Sequence, residues 1–279
     1  MNRLSDSWAA RLLRASAGLL APPIHRCAAC GNEYRERTNP IGLCRSCYAA
    51  APWILRVRCP VCGRAEACPD CPAREATWFR LSRSSVRYDD TMKEWLAQYK
   101  YRGSERLGSL FGAMLVHGYQ LLRQQAAEQE GCLVTFDCVT YAPVHPERLA
   151  ERGFDQAAQL AAELGRRAGL PVLPLLARVR HTPKQSHHAR RERMVALQGA
   201  FAPDAAGWRQ LQARWAAGNA AAPGRGNAAR SGAAGPAARR RLRVLVVDDV
   251  YTTGSTMNEC ARLLAENGPI DVYGLTWAR

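Results

Sequence analysis

The chain has 279 residues, 47% of them hydrophobic, and its 39 Lys and Arg against 24 Asp and Glu give a formal net charge of +15. That length holds one domain of ordinary size and a smaller module. No apolar run approaches the roughly 18 residues of a membrane-spanning helix, which excludes such a helix. So large a positive charge favours polyanionic partners or substrates and is silent on fold.

Residues 1–24 place Trp8, Leu12, Leu13 and Leu19 in a short apolar stripe that ends at Pro22-Pro23. This reads as an amphipathic helix, with a cleaved signal peptide as the alternative. Cysteine spacing dominates residues 25–75. Eight of the eleven cysteines form four CxxC pairs: Cys27/Cys30, Cys44/Cys47, Cys59/Cys62 and Cys68/Cys71. Two thiolates offered from one tight turn can reach a single tetrahedral Zn2+, and Gly31 and Gly63 directly follow their pairs, as such turns favour. Thioredoxin-like chemistry would need one pair at a strand–helix junction, and none of the four has that setting. The simplest arrangement is two zinc ions, one on Cys27/Cys30 with Cys44/Cys47 and one on Cys59/Cys62 with Cys68/Cys71. Only five residues separate the last two pairs, so an interleaved arrangement or a single occupied site stays open. A module this small depends on metal to fold. Cys132, Cys138 and Cys260 sit in apolar patterns and read as core residues.

From residue 76 onward the pattern becomes that of an α/β domain. Leu107, Leu110, Phe111, Met114, Leu115 and Leu122 have helical spacing and predict a long core-packed helix. Lys100, Tyr101 and Gly103 precede it in a basic turn, either a solvated junction or a lip of the active site. Val134 to Tyr141 reads as extended. Phe154, Ala157, Ala158, Ala161 and Leu164 then stripe a helix, and between the two lie His145, Arg148, Arg152 and Gly153. A basic loop before a helix N-terminus suits an anion such as pyrophosphate. Val172 to Val179 predicts a strand, followed by "RHTPKQSHHARRERM". That stretch carries Lys184 and reads as a basic flap closing over a polyphosphate and excluding water. His181, His187 and His188 lack an acid or thiol spaced to complete a metal site. Residues 204–241 are mostly Ala, Gly, Pro and Arg and predict a disordered insertion, with a short helix near Trp208 to Trp215 open.

The most informative stretch is "RVLVVDDVYTTGST". Val244-Leu245-Val246-Val247 is the continuous apolar run of a strand buried on both faces of a parallel sheet. Met257, Cys260, Ala261 and Leu264 follow at helical spacing. Asp248 to Ser255 is then a loop between a strand's carboxyl end and a helix N-terminus, the place where open α/β sheets bind ligands. Amides and hydroxyls there favour an anion. Two carboxylates beside a phosphate would repel it unless they hold ribose hydroxyls or a hydrated Mg2+. Together they ask for a phosphorylated sugar with a metal.

These residues carry a resemblance. Val244 to Thr256 is similar to the 13-residue phosphoribosyl pyrophosphate (PRPP) motif of type I phosphoribosyltransferases, with Tyr251 where an aliphatic residue is more usual. The resemblance implies that Asp248 and Asp249 contact ribose hydroxyls. It also implies that Thr252, Thr253, Gly254, Ser255 and Thr256 cradle the 5'-phosphate. Read whole, four CxxC pairs followed by "KYRG", "RGFDQ", "TPKQ", "RRERM" and "VVDDVYTTGST" resemble the ComF family of bacterial competence proteins. Matching positions are Lys100, Tyr101, Gly103, Pro143, Arg148, Arg152, Gly153, Phe154, Gln156, Thr182, Gln185, Arg193 and Phe201. Tyr141, Asp155 and Ala196 depart from the usual proline, asparagine and asparagine.

The resemblance implies a small N-terminal double zinc-ribbon module (25–75) joined to a type I phosphoribosyltransferase domain (76–279), Rossmann-like with a mostly parallel sheet. It implies a cytoplasmic role in natural transformation, with single-stranded DNA and other competence proteins as partners. Two functions follow as expectations. One is a protein that binds PRPP or a ribose 5-phosphate-type ligand with Mg2+. The other is an active transferase of nucleotide metabolism, in which Arg152, Lys184 and their neighbours stabilise departing pyrophosphate. His145 and Arg148 are expected at the ligand with them.

Overall fold

A computed structural model describes residues 24–35, 39–102, 105–180, 197–220 and 241–279. The expected helix of residues 1–24 lies outside them but for Ile24, and most of the flap, Lys184 included, lies outside them too. The chain divides into two compact units, Met1–Ala51 and Pro52–Arg279.

In the first unit, β1 (His25–Arg26) and β2 (Glu33–Tyr34) pair antiparallel around the Cys27/Cys30 turn. Gly31 N–H closes that turn on Cys27 O at 2.9 Å. A second turn delivers Cys44 to the start of α1 (Arg45–Ala50), which carries Cys47. Asn39 organises this turn: its Nδ2 donates to Leu43 O (2.8 Å) and its Oδ1 accepts from Ile41 N (3.1 Å). Among the described residues of this unit the buried apolar side chains are Cys27, Ile41, Leu43, Cys44 and Ala51, too few for burial alone to offset their chain entropy.

The second unit is built on a four-stranded parallel sheet. It holds β3 (Ser82–Val86), β4 (Cys138–Tyr141), β7 (Leu242–Val250) and β8 (Ile270–Ala278) in the order β3-β8-β7-β4. Val244 to Val247 are fully buried, as a run apolar on both pleats requires. One face packs on α3 (Glu105–Glu130), whose Phe111 stacks on Trp277 with ring centroids 3.9 Å apart. The helices α2 (Asp90–Arg102) and α5 (Gln156–Ala168) join α3 there through Tyr99, which packs edge-on to Phe111 and donates to Gln159 Oε1 (2.6 Å). The other face buries Val244, Val246 and Val272 against α7 (Ser255–Asn267). With them lies a short antiparallel ribbon of β5 (Leu176–Arg178) and β6 (Phe201–Pro203). Between β4 and α5 runs α4 (Pro146–Arg152). The architecture is α/β with a parallel sheet and two cysteine groups ahead of it.

Two features differ from the sequence pattern. Residues 204–241, read as a disordered insertion, begin with a helix, α6 (Ala205–Ala220). Asp204 Oδ1 caps it by accepting from Gly207 N (2.8 Å), Trp208 Nε1 donates to Leu175 O (3.0 Å), and Leu211 is buried. The short helix left open near Trp208 to Trp215 lies within α6, and Trp208, Leu211 and Trp215, at helical spacing, all pack on the core. Cysteine spacing also grouped residues 25–75, whereas by contacts Cys59, Cys62, Cys68 and Cys71 belong to the unit that holds the sheet.

Candidate functional site

The strand β7 carries Asp248 and Asp249 to the sheet's carboxyl edge, both half-buried. Their environments differ. Burial, and then the neighbouring Asp249 charge, push the Asp248 carboxyl well above the ordinary carboxylate range. Burial presses Asp249 the same way, but the Lys100 ammonium paired with it holds its carboxyl below that range. Lys100 comes from α2, so the turn left open between a solvated junction and a lip supplies a cation to the acid pair. Asp248 Oδ1 accepts from Asp249 N at 2.8 Å.

The loop beyond is pinned at both ends. Tyr251 N–H donates to Ala278 O (2.8 Å), and Asn258 N–H closes the first turn of α7 on Gly254 O (2.8 Å). Gly254 is the N-cap, at φ 80°, a conformation that side chains strain against. A Cβ there would also lie 2.1 Å from Tyr251 Oη. Thr253 Oγ1 and Ser255 Oγ share a buried hydrogen bond of 2.7 Å. With no side chain capping α7, its first amides keep their capacity for an anion.

Acid pair and loop line one cavity of about 330 Å³. Lys100, Arg148, Arg152 and Arg178 line the same cavity. Arg152 Nη1 donates to Gln156 Oε1 at 2.8 Å, which aims a residue of α4 from the first turn of α5. Asp155, which stands where the resemblance expects asparagine, ties two parts of the loop. Its Oδ1 caps α5 by accepting from Ala158 N (3.0 Å), and its Oδ2 accepts from Val144 N (2.9 Å). Both acceptors are ones an asparagine would offer only once, and the carboxylate supplies them together.

The cavity brings together Asp248, Asp249, Thr252, Thr253, Ser255, Thr256, Arg148 and Arg152. His145 is used otherwise: its Nδ1 accepts from Glu147 N (3.4 Å) as the N-cap of α4. Lys184 lies outside the described residues. Arg178 was missed by sequence reasoning. It ends β5, its guanidinium lies 5.4 Å from the Phe201 ring, and burial pushes its pKa down while the Asp248 charge opposes that. A basic residue closing a strand just before a basic segment was the available signal. The ribbon carrying it is tied to α7, where Gly199 N donates to Glu259 Oε1 (2.8 Å).

The cysteines form two groups, Cys27, Cys30, Cys44 and Cys47, and Cys59, Cys62, Cys68 and Cys71, with the ligand atoms of each within 4.8 Å of one another. Cys30 and Cys44 sulfurs are 3.9 Å apart, and those of Cys62 and Cys68 3.5 Å. Sulfurs about 2.3 Å from a tetrahedral zinc stand at such separations, so both groups fit the ion. The pairing is the sequential one; the interleaved alternative is not adopted. The hydrogen bond with Ser46 pushes the Cys44 thiol down, and one with Cys71 does so for Cys62, so each group holds a thiol poised as thiolate.

A parallel sheet with an acid pair and a helix-N-terminal hydroxyl loop at its carboxyl edge, preceded by cysteine groups that fit zinc, defines a phosphoribosyltransferase-type α/β fold with a zinc module. Among known proteins, no family model matches the sequence. The chain is 27% identical over 235 residues to competence protein ComFC of Bacillus subtilis (strain 168), covering 81% of this chain and 79% of that protein. It is 26% identical over 264 residues to competence protein F of Haemophilus influenzae, covering 91% and 97%. It is also 26% identical over 237 residues to the DNA utilization protein YhgH of Salmonella typhimurium, covering 83% and 87%. The resemblance to ComF proteins carried by the motifs therefore extends along most of the chain.

Proposed function

We propose that this protein binds PRPP, or a closely related phosphorylated ribose, with Mg2+ in the cavity at the sheet's carboxyl edge, and that it does so in the cytoplasmic handling of DNA taken up in natural transformation. The observation that carries the first half is the division of one cavity into an acid pair, a hydroxyl-rich helix N-terminus and a cationic wall. Each part suits a different portion of one ligand. Thr252 to Thr256 and the α7 amides suit the 5'-phosphate. Asp248 and Asp249 suit the ribose hydroxyls, which can donate to carboxylates. Arg148, Arg152 and Arg178 suit the pyrophosphate, with Lys184 a further candidate.

Bound Mg2+ would neutralise pyrophosphate charge and relieve the carboxylates, of which Asp249 is paired with Lys100. Single-stranded DNA and other competence proteins are the partners proposed. The relatives' names and a net charge of +15 support the DNA reading.

Transfer of the phosphoribosyl group is a second reading, favoured by the cations clustered opposite the acid pair. The bond from C1 of the ribose to the pyrophosphate oxygen would break, with the electron pair leaving on pyrophosphate. An acceptor atom would bond to C1 and give up its proton. Arg152 and Arg178 would stabilise the charge that develops on the leaving oxygen. Calorimetric titration of PRPP with and without Mg2+, with pyrophosphate release followed in parallel across nucleobases and amines, tests both. Saturable Mg2+-dependent binding is expected, and release with any acceptor establishes transfer. No binding at millimolar PRPP overturns the proposal.

A further inference from the structure

Outside the cavity, the residue with the closest hold on the loop is Arg74. It sits three residues beyond Cys71, and its amide donates to Cys71 O (3.3 Å). Its side chain crosses from the second cysteine group to the loop. Nη2 donates to Thr253 O at 2.7 Å and to Tyr251 Oη at 3.4 Å, and the guanidinium lies 5.5 Å from the Phe79 ring. A Cβ on Gly254 would meet Arg74 Nη2 at 2.7 Å, so this guanidinium lies directly against the turn that caps α7.

The return path is equally short. The Arg279 guanidinium stacks 4.6 Å from the centroid of Tyr251, whose side chain is buried, and its Nη1 donates to Cys62 O. Gly63, next to Cys62, has φ 69°, and a Cβ there would stand 2.4 Å from Ser82 O, while Ser82 N donates to Val61 O (2.7 Å). The cysteine turn is therefore fused to β3.

Charge gives this arrangement a reason. Four thiolates around Zn2+ leave two negative charges, and Arg74 and Arg279 are the cations that join this group to the loop. Because a trans peptide points its N–H opposite its C=O, holding the Thr253 carbonyl on Arg74 turns the Gly254 N–H away from Arg74. We propose that Arg74 is a positioning residue through which the metal-filled second cysteine group sets the phosphate-binding face of the Thr252–Thr256 loop. This inference rests on the phosphoribosyl reading above and adds a controlling element to it. Loss of metal at Cys59, Cys62, Cys68 and Cys71 would release Arg74 and the loop together.

The test compares wild type with Arg74→Met, Arg74→Lys and Cys68→Ser, using ribose 5-phosphate and Mg2+-pyrophosphate as separate calorimetric probes. Arg74→Met should retain its zinc and weaken ribose 5-phosphate by roughly 10- to 100-fold, the range for residues that orient a binding group. It should leave unchanged the affinity for pyrophosphate, which is assigned above to Arg148, Arg152 and Arg178 and not to this loop. Arg74→Lys should recover part of the loss. Cys68→Ser, short of metal at this group, should match Arg74→Met.

Unchanged ribose 5-phosphate affinity in Arg74→Met overturns the inference, and so does an equal loss for both probes. If wild type binds neither probe, the phosphoribosyl reading fails, and hydrogen exchange still decides the strut. Faster exchange confined to residues 251–256 in Arg74→Met upholds it, and no change there ends it.

Discussion

Asp248 and Asp249 are neighbours in sequence with opposite electrostatic settings. Asp249 has Lys100, whereas burial and then the Asp249 charge raise the Asp248 carboxyl above the ordinary carboxylate range. A carboxyl whose pKa is raised on folding favours the folded state below its unfolded pKa, and that advantage is lost as pH rises through the folded value. At neutral pH the Asp248 charge therefore weighs against folding. Asp248→Asn should stabilise the protein by roughly 0.5–2 kcal/mol at pH 7, the common gain when a functional site is relaxed. The gain should disappear as pH falls below the ordinary carboxylate range, where both forms are neutral. Urea midpoints at pH 7 and pH 3 check this, and a destabilised variant at pH 7 would contradict it. The sequence made the acid pair visible because two carboxylates at a strand end are conspicuous. It offered Lys100 only as one of two readings and did not offer Arg178, since only the fold brings residues 100, 178 and 249 around one cavity. Tyr251 was legible as a departure but not as an adaptation. Its contacts with Arg74 and Arg279 span more than 170 residues in one case.

At the scale of elements, apolar periodicity was the reliable guide. The runs Val244 to Val247 and Leu107 to Leu122 became β7 and α3 because each buries nearly every apolar residue it carries. Composition was the poor guide. An Ala-rich stretch scores as low complexity, yet Ala is the best helix former, and three large side chains at helical spacing suffice to dock it. Trp208→Ala should remove the bond to Leu175 O and part of the packing on the core, costing roughly 2–3 kcal/mol for a side chain only partly buried. Thermal unfolding measures it. A loss below about 0.5 kcal/mol, the range of a neutral surface substitution, would mean that α6 is an appendage. The second pair of cysteine turns was legible as a metal site from spacing, but its fusion to β3 was not, because Gly63 meets Ser82 through backbone that no motif encodes.

For the whole molecule, the DNA reading proposed above rests on the net charge of +15 and on the Arg and Tyr that accompany the cysteine turns. Single strands are held by cationic grooves and stacked aromatics, so single-stranded DNA should bind with an affinity that falls as salt rises. The log–log slope should be roughly −0.7 for each phosphate neutralised. Fluorescence anisotropy with a labelled oligonucleotide between low and physiological salt gives the slope, and a binding constant indifferent to salt would remove the DNA reading.

The claim on which the rest depends is that the acid pair serves a ligand rather than ending a strand in solvent. The most direct measurement is calorimetry of Mg2+-PRPP with wild type and with Asp248→Asn/Asp249→Asn, the fold of each verified by circular dichroism. The substitutions keep the side-chain shape but remove the two negative charges that a bound Mg2+ and ribose would use. Wild type should bind and the doubly substituted protein should show no detectable heat, although it folds. Equal affinity in the two proteins would contradict a ligand role for Asp248 and Asp249.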